Sequence, residues 1–189
     1  FYVTLPKVVH PGQAAALHKL LTAFEKKKKI KPGTIKVELM IETPQSIIGF
    51  DGKAPLRAMV DALGGRCASA HFGTYDYTAS CNITAAHQRM DHQSCDFAKH
   101  VMQVALAGTG VNISDGATNV MPVGPHRPAA GEYLSAEQDR ENVEAVRRAW
   151  KLHYGHATHS LVNGFYQGWD LHPAQLPTRY GAVYAFFLG

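Results

Sequence analysis

The chain has 189 residues, of which 46% are hydrophobic and 18% are charged, and its formal net charge is +4. This length and composition suit one domain, residues 1–189, with a substantial core. Much of the positive charge lies in Lys26–Lys29, no basic stripe alternates with aromatic residues, and no apolar run nears the ~18 residues of a membrane span. We therefore expect neither a nucleic acid nor a membrane as a partner.

In chain order, the hydrophobic pattern predicts strands and helices that alternate. The predicted strands are Phe1–Val9, Thr34–Thr43, Arg66–Phe72, Gly108–Ser114 and Leu161–Asp170. The predicted helices are Gln13–Lys28, Lys53–Gly64, Asp91–Leu106, Ala136–His153 and Leu176–Leu188, with a loop or short helix at Pro44–Ile48. Gly73–Ser80 is predicted to be a loop, Met121–Gly131 is a Pro/Gly-rich connection, and Ser135 to Gln138 has the spacing of a capping box.

The cysteines and the first residues bear on location and completeness. Cys67, Cys81 and Cys95 are odd in number and form no CxxC motif, which favours reduced thiols in a cytoplasmic protein. The chain begins with Phe1 inside a predicted strand and without an initiator Met. We therefore expect it to be a piece of a longer protein.

Two predicted strands stop at a carboxylate. The run Val37–Pro44 stops at Glu42, and the run Ala70–Tyr77 stops at Asp76, 34 residues later, which is about the length of one strand–helix–strand unit. If both strands are parallel, the carboxylates emerge at the edge of the sheet where α/β proteins bind ligands. Two such oxygen ligands suit Mg²⁺ or Mn²⁺. The alternative is that each carboxylate caps the helix that follows it.

Polar residues recur at the ends of the predicted strands. These residues are Lys7, Glu42, Asp76, Asp115 and Asp170, and the first four are 34 to 39 residues apart. Such repetition indicates a parallel sheet. Five strand–helix units look like the second half of a (β/α)₈ barrel, and 189 residues are too few to close a barrel of about 250 residues.

Four motifs occur in order along the chain: Leu5-Pro6-Lys7-Val8, Met40-Ile41-Glu42-Thr43, Phe72-Gly73-x-x-Asp76 and Leu171-His172-Pro173-x-Gln175. Their order and spacing resemble the superfamily of citrate-lyase beta subunits and class II pyruvate aldolases, which also holds malyl-CoA lyases and, more distantly, malate synthases. The stretch Thr74–Pro122 is similar to an uncharacterised branch of that superfamily. The resemblance implies a TIM barrel of the phosphoenolpyruvate/pyruvate type, of which this chain carries the last five β/α units.

The same resemblance implies a chemistry. Mg²⁺ (or Mn²⁺) would be held by Glu42 and Asp76, and backbone N–H groups of Gly73 and Tyr75 would receive a substrate carboxylate. The implied reaction cleaves or forms a carbon–carbon bond of a 2-keto acid or hydroxyacyl substrate, such as an acyl-CoA, through a metal-stabilised enolate. A homo-oligomer is also implied. The Arg and His of the aldolase branch belong to earlier strands, so no catalytic base is assigned.

Other residues have two readings each. Lys7 either reaches into the site or pairs with Glu42. Asp115 and Asn119 either line the substrate pocket or belong to a turn and an ordinary loop. His71 is expected to be a hydrogen-bonded core histidine, with a general base as its alternative role. His172-Pro173 is expected to fix the last loop against the final helix, with contact to the ligand as the alternative.

Two rival functions remain open at this point. The first is a malate-synthase-like condensation on the same metal pair, for which Asp170 is the local candidate base. The second is a non-catalytic half-barrel that needs a partner segment. The histidine-rich stretches His87–Cys95 and His153–His159 lack the spacing of structural zinc sites, so we predict no zinc.

Overall fold

The computed structural model describes residues 1–189 as two compact units, Phe1–Gly116 and Ala117–Gly189. The strands are β1 (Tyr2–Leu5), β2 (Lys36–Ile41), β3 (Cys67–Phe72), β4 (Asn112–Ala117) and β5 (Gly168–Trp169). The helices are α1 (Pro11–Lys28), α2 (Pro44–Ile47), α3 (Leu56–Ala62), α4 (Thr74–Ser80), α5 (Gln93–Leu106), α6 (Ala136–Val162) and α7 (Leu176–Leu188), with 3₁₀ turns at Ala85–His87 and Pro173–Gln175. None of these helices combines the length and the hydropathy that a membrane span requires. The single domain over residues 1–189 stays a prediction.

The first four strands form a parallel sheet in sequence order, which confirms the predicted α/β fold. Leu5 pairs with Leu39, Leu39 pairs with Ala70, and Ala70 pairs with Ile113. Because strand residues alternate between faces, this register collects apolar side chains on one face. These side chains share one core with residues of α1, α3 and α5, and its fully buried members include Ala14, Leu39, Met59, Phe72 and Met102.

The opposite face of the sheet is polar. Thr4, Glu38 and Ser69 are register partners on three adjacent strands. The Glu38 carboxylate accepts from Thr4 Oγ1 at 3.1 Å and from Ser69 Oγ at 2.9 Å. Two residues after Ser69 on the same face of β3, His71 is hydrogen-bonded to Ser114 on β4. The sheet therefore has one hydrophobic face, which packs against the helices, and one hydrogen-bonded face.

A buried ion pair joins α1 to the sheet. The Glu25 carboxylate receives Nη1 and Nη2 of Arg66 at 2.8 and 2.7 Å, and it also accepts the backbone N–H groups of Gly33 and Ile35. Because Arg66 donates to it, the pKa of Glu25 falls to about 2. The pair thus fixes the end of α1 next to the starts of β2 and β3.

One four-residue pattern ends two loops in the same way. In His10-Pro-x-Gln13, His10 Nδ1 accepts from Gly12 N–H and Gln13 Oε1 accepts from His10 N–H, which forms a capping box at the start of α1. His172-Pro-x-Gln175 repeats both contacts at the 3₁₀ turn that leads into α7. The expectation that His172-Pro173 fixes the last loop is confirmed.

Helix α6 is longer than predicted. The capping box of Ser135 and Gln138 is confirmed, but the helix continues beyond His153 to Val162. Its buried residues fall at Ala149, His153, His156, Ala157, Ser160 and Leu161, so the helical spacing of the inward face never breaks. The predicted strand Leu161–Asp170 was therefore wrong over its first half, and only Gly168–Trp169 is extended.

The fourth strand is displaced by a few residues. Gly108 and Gly110 have φ values of 72° and 75° and belong to the turn before the strand, so β4 starts at Asn112 instead of Gly108. It continues through Asp115 and Gly116 to Ala117, which rules out the predicted end at Ser114 and the Asp115-Gly116 turn. Asp115 is therefore a strand residue.

Candidate metal centre

Lys7, Glu42 and Asp76 converge at the carboxyl edge of the sheet. Lys7 follows β1, Glu42 follows β2, and Asp76 lies four residues past the end of β3. The Lys7 backbone N–H donates to Glu42 Oε1 at 2.8 Å. The Lys7 ammonium is ion-paired with Asp76 Oδ2 and lies 3.9 Å from Glu42 Oε1. The parallel pairing of β1, β2 and β3 is what brings these three residues together.

Asp76 does not lie in a loop as predicted. It occupies the first turn of α4, the helix that starts at Thr74 directly after β3 and Gly73. The N-terminus of a helix favours a negative charge because its backbone N–H groups point outward there. Tyr75 lies in the same turn and is half-buried.

Each charged group at this site shifts the pKa of the others. Burial raises the pKa of Glu42, whose residue is only 7% exposed, and the nearby Asp76 carboxylate adds to that rise. The hydrogen bond from Lys7 lowers the pKa of Asp76, and the same bond raises the pKa of Lys7. The Lys7 ammonium beside the two carboxylates lowers the pKa of both and so favours their ionised forms.

The residues fit a divalent metal ion. The position between Glu42 and Asp76 already accommodates a cation, the Lys7 ammonium. Mg²⁺ is bound in proteins through one or two carboxylates and completes its coordination with water and substrate oxygens. Residues 1–189 contain no group of three or more His, Cys, Asp or Glu side chains arranged to hold a metal ion. The candidate centre is this pair of carboxylates, with the remaining coordination positions left to water and substrate.

Gly73 shapes the centre by having no side chain. A Cβ atom at this position would lie 2.5 Å from Glu42 Cβ and 3.0 Å from Glu42 Oε2. The backbone N–H of Gly73 donates to Ile41 O at 2.9 Å. That donor is therefore used within the sheet, which argues against the predicted role of Gly73 as a backbone donor to the substrate; Tyr75 stays a candidate by its position.

Thr74 was missed by the sequence analysis. Its residue is 1% exposed, and its hydroxyl has no hydrogen-bond partner. Gly116 on β4 makes room for it, since a Cβ there would lie 2.4 Å from Thr74 Oγ1. Its position between Gly73 and Asp76, directly after a predicted strand, was the feature of the sequence that could have indicated that Thr74 lies next to the site.

Asp115 is held in a buried ion pair. Its Oδ2 receives Lys99 Nζ at 3.0 Å, and its Oδ1 accepts the N–H of Gly116 at 2.8 Å. Lys99 is 1% exposed and also lies 3.2 Å from Asp96 Oδ1. The carboxylate of Asp115 is thus ion-paired with Lys99. The sequence predicted Lys99 only as a residue of the helix Asp91–Leu106. Asn119, the other predicted pocket residue, is exposed in the second unit.

His71 behaves as the expected core histidine. It is 2% exposed, and its Nδ1 is hydrogen-bonded to Ser114 Oγ. Burial lowers the pKa of His71 to about 4, against a small opposing effect of Asp115. The ring is therefore neutral near pH 7.

Asp170, the predicted base of the condensing alternative, is already bound. Arg179 contacts both oxygens, with Nη2 at 2.8 Å from Oδ1, and His153 Nε2 lies 2.8 Å from Oδ1. Burial alone would raise the pKa of Asp170, but Arg179 and His153 outweigh it and hold the pKa below its usual value.

Several solved structures share this fold. RipC from Yersinia pestis is 16% identical, with a TM-score of 0.58 over 96% of this chain and 63% of that chain. The citrate lyase beta subunit of M. tuberculosis, complexed with oxaloacetate and magnesium, is 14% identical, with a TM-score of 0.60 over 96% and 60%. Haloferax volcanii malate synthase, in a pyruvate/acetyl-CoA ternary complex, is 14% identical, with a TM-score of 0.66 over 95% and 40%.

These neighbours are TIM-barrel-type enzymes, and at such identities the likeness shows the fold alone. The chain spans between 40% and 63% of the length of these three proteins. No curated protein matches the chain. One family model covers it from end to end, residues 1–189, and the chain belongs to that family, described as "Domain of unknown function (DUF6986)".

Proposed function

We propose that this chain carries the metal centre of a Mg²⁺-dependent carbon–carbon lyase or aldolase that acts on a 2-keto acid or hydroxyacyl substrate. Its strands and helices would be the last five β/α units of a TIM barrel. The observation that supports this proposal is the convergence of Lys7, Glu42 and Asp76 at the carboxyl edge of the sheet. The citrate lyase beta subunit, whose solved complex contains magnesium and oxaloacetate, has a similar fold.

Glu42 and Asp76 would hold the metal ion. Glu42 is fixed by the N–H of Lys7 and by its close approach to Gly73, so its carboxylate is oriented before any ligand arrives. The Asp76 side chain is 55% exposed, so a metal ion and its water ligands can reach it from solvent. When bound, Mg²⁺ would supply Lewis-acid stabilisation of the negative charge that develops on the keto oxygen.

Lys7 and Tyr75 would act on the substrate. The Lys7 side chain is 62% exposed, so its ammonium can move from the carboxylates towards an incoming anion, while its backbone keeps Glu42 in place. Tyr75 lies in the first turn of α4, where a backbone N–H can receive a substrate carboxylate. Both groups would orient the keto acid at the metal.

The candidate base of the condensing alternative is engaged in the structure. A malate-synthase-like reaction needs a free carboxylate base, and Asp170 is bound by Arg179 and His153.

Exchange of the pyruvate methyl protons for deuterium tests the proposal, because enolate formation in D₂O labels that carbon. NMR of pyruvate with the protein and Mg²⁺ should show exchange that EDTA abolishes. Glu42→Gln and Asp76→Asn should remove it. Glu38→Gln, which deletes a carboxylate four residues earlier in the chain, should retain it. Exchange that survives in Glu42→Gln and Asp76→Asn would contradict the proposal, and its absence from the wild type would favour the non-catalytic half-barrel.

A further inference from the structure

A cavity of about 470 Å³ lies in the first unit, and Lys7, Glu42 and Asp76 are not part of its lining. Its apolar lining consists of Val9, Pro11, Phe50, Ala54, Pro55 and Ala58. We call it the Phe50 cavity. Its volume falls within the range of small-molecule sites, which are mostly apolar and carry a few polar groups.

The walls of the Phe50 cavity follow the same two strands that carry the metal centre. One wall starts at Val9, two residues after Lys7. The other wall follows β2 and α2 and starts at Gly49. Thr43 Oγ1 donates to Val8 O at 2.9 Å and ties the two segments together next to Glu42. Both walls of the cavity therefore belong to segments that follow strand ends at the carboxyl edge of the sheet, where ligands of α/β proteins bind.

Phe50 is exposed on a loop that is held in shape. Gly49 N–H donates to Lys53 O at 2.8 Å, and Gly52 N–H donates to Gly49 O at 2.9 Å. Lys53 N–H also donates to Asp51 Oδ1 at 3.1 Å. With the loop in this conformation, Phe50 is 91% exposed. The cavity is therefore bordered by an aromatic ring that no other residue covers. Burying it against an apolar ligand is favourable.

The lining of the cavity carries one negative and one positive side chain, so it has no net fixed charge. Asp51 and Lys53 are its two residues of fixed charge, and their side chains form an ion pair of 3.9 Å. His10 also lines it, and its Nδ1 is engaged by Gly12 N–H. No arginine or lysine cluster is present in the lining to receive a second carboxylate or a phosphate. The chemistry of the walls suits an uncharged chain.

We propose that the Phe50 cavity binds the hydrocarbon chain, alkyl or aryl, of the substrate that reacts with the keto acid at the metal centre. This inference rests on the proposed function, because it assigns the substrate class of the same site. The preferred reaction partner is then a medium-length apolar aldehyde or acyl group and not a dicarboxylate. Each methylene group placed in the cavity is expected to raise affinity about fourfold.

Straight-chain alcohols test the cavity directly, without the metal and without turnover. In the full chain labelled at alanine methyl groups, 1-butanol, 1-pentanol and 1-hexanol should shift the NMR signals of Ala54 and Ala58, with affinity rising about fourfold per methylene. Ala58→Phe fills the cavity from an exposed position of α3 and should remove this binding. Asp61→Phe adds the same ring at an exposed position of α3 outside the lining and should retain it.

Titration of Mg²⁺ with oxalate separates the two proposals. Ala58→Phe should leave this binding within twofold of wild type, since the cavity takes no part in it. Absence of alcohol shifts in the wild type, or equal alcohol affinity in Ala58→Phe, would overturn the cavity proposal even where Mg²⁺ and oxalate bind. Alcohol binding without any Mg²⁺–oxalate binding would overturn the proposed function and the substrate role of the cavity with it.

Discussion

The backbone N–H of Lys7 donates to Glu42 Oε1 at 2.8 Å, while the side chain of the same residue pairs with Asp76. Lys7 therefore has two separable roles. Its backbone, with φ at 49°, orients the buried carboxylate, and its ammonium balances the charge of both carboxylates. A substitution that removes the ammonium keeps the backbone bond, so the two roles can be tested apart.

Lys7→Met should lower the melting temperature of the metal-free protein by a few degrees at most, because the ion pair is largely exposed. Glu42 and Asp76 then lack a counter-charge, so Mg²⁺ should raise the melting temperature of Lys7→Met more than that of the wild type. Differential scanning fluorimetry with and without Mg²⁺ measures both effects. Lys53→Met, which breaks the exposed ion pair with Asp51, is the control and should show no such gain. Equal stabilisation of Lys7→Met and wild type by Mg²⁺ would contradict this role.

Gly73→Ala should destabilise the protein by about 1–3 kcal/mol, because the added Cβ overlaps Glu42 Cβ. It should also weaken Mg²⁺ binding, since Glu42 must move. Gly155→Ala is the matched control: it lies within α6 with no atom within 4 Å of the added Cβ, and it should gain about 0.5–1 kcal/mol. Urea unfolding of both variants, followed by metal titration, gives the comparison. A Gly73→Ala protein with wild-type stability and wild-type metal affinity would show that the close approach is unimportant.

His71 should make the protein less stable in mild acid. An unfolded chain protonates this histidine near pH 6.5, whereas burial lowers its pKa in the folded protein to about 4. The unfolded state therefore binds the extra proton between these values, and stability falls as the pH falls from 6.5 to 4, by up to about 3 kcal/mol. His71→Asn should flatten this part of the pH profile in urea unfolding. His87→Asn, at an exposed position, should follow the wild-type profile. The prediction fails if His71→Asn and wild type lose stability in parallel.

The sequence was informative where local patterns decide the structure. The apolar run that starts at Val37 predicted a strand, and its end at Glu42 predicted where that carboxylate would lie. Position at the end of a strand was enough to place Lys7, Glu42 and Asp76 on one edge, because parallel strands share their carboxyl ends.

Contacts between residues far apart in the chain could not be predicted from the sequence. Asp115 and Lys99 are 16 residues apart, and neither periodicity nor turn chemistry indicates that a buried lysine will reach the end of β4. The extension of α6 past His153 was missed for another reason. Histidine and glycine weaken helical patterns locally, but the burial of His153, His156 and Ala157 on one face maintains the helix. In both cases tertiary contacts outweighed local preference.

The most direct test of the metal centre is isothermal titration of Mg²⁺ in the presence of oxalate, which mimics the planar enolate. The wild type and Glu38→Gln should bind the metal and the ligand together at one site per chain. Glu42→Gln and Asp76→Asn should lose that binding, because each removes one of the two carboxylates at the carboxyl edge of the sheet. Binding that persists unchanged in both variants, or no binding in the wild type, would contradict the assignment of Glu42 and Asp76 as the metal ligands.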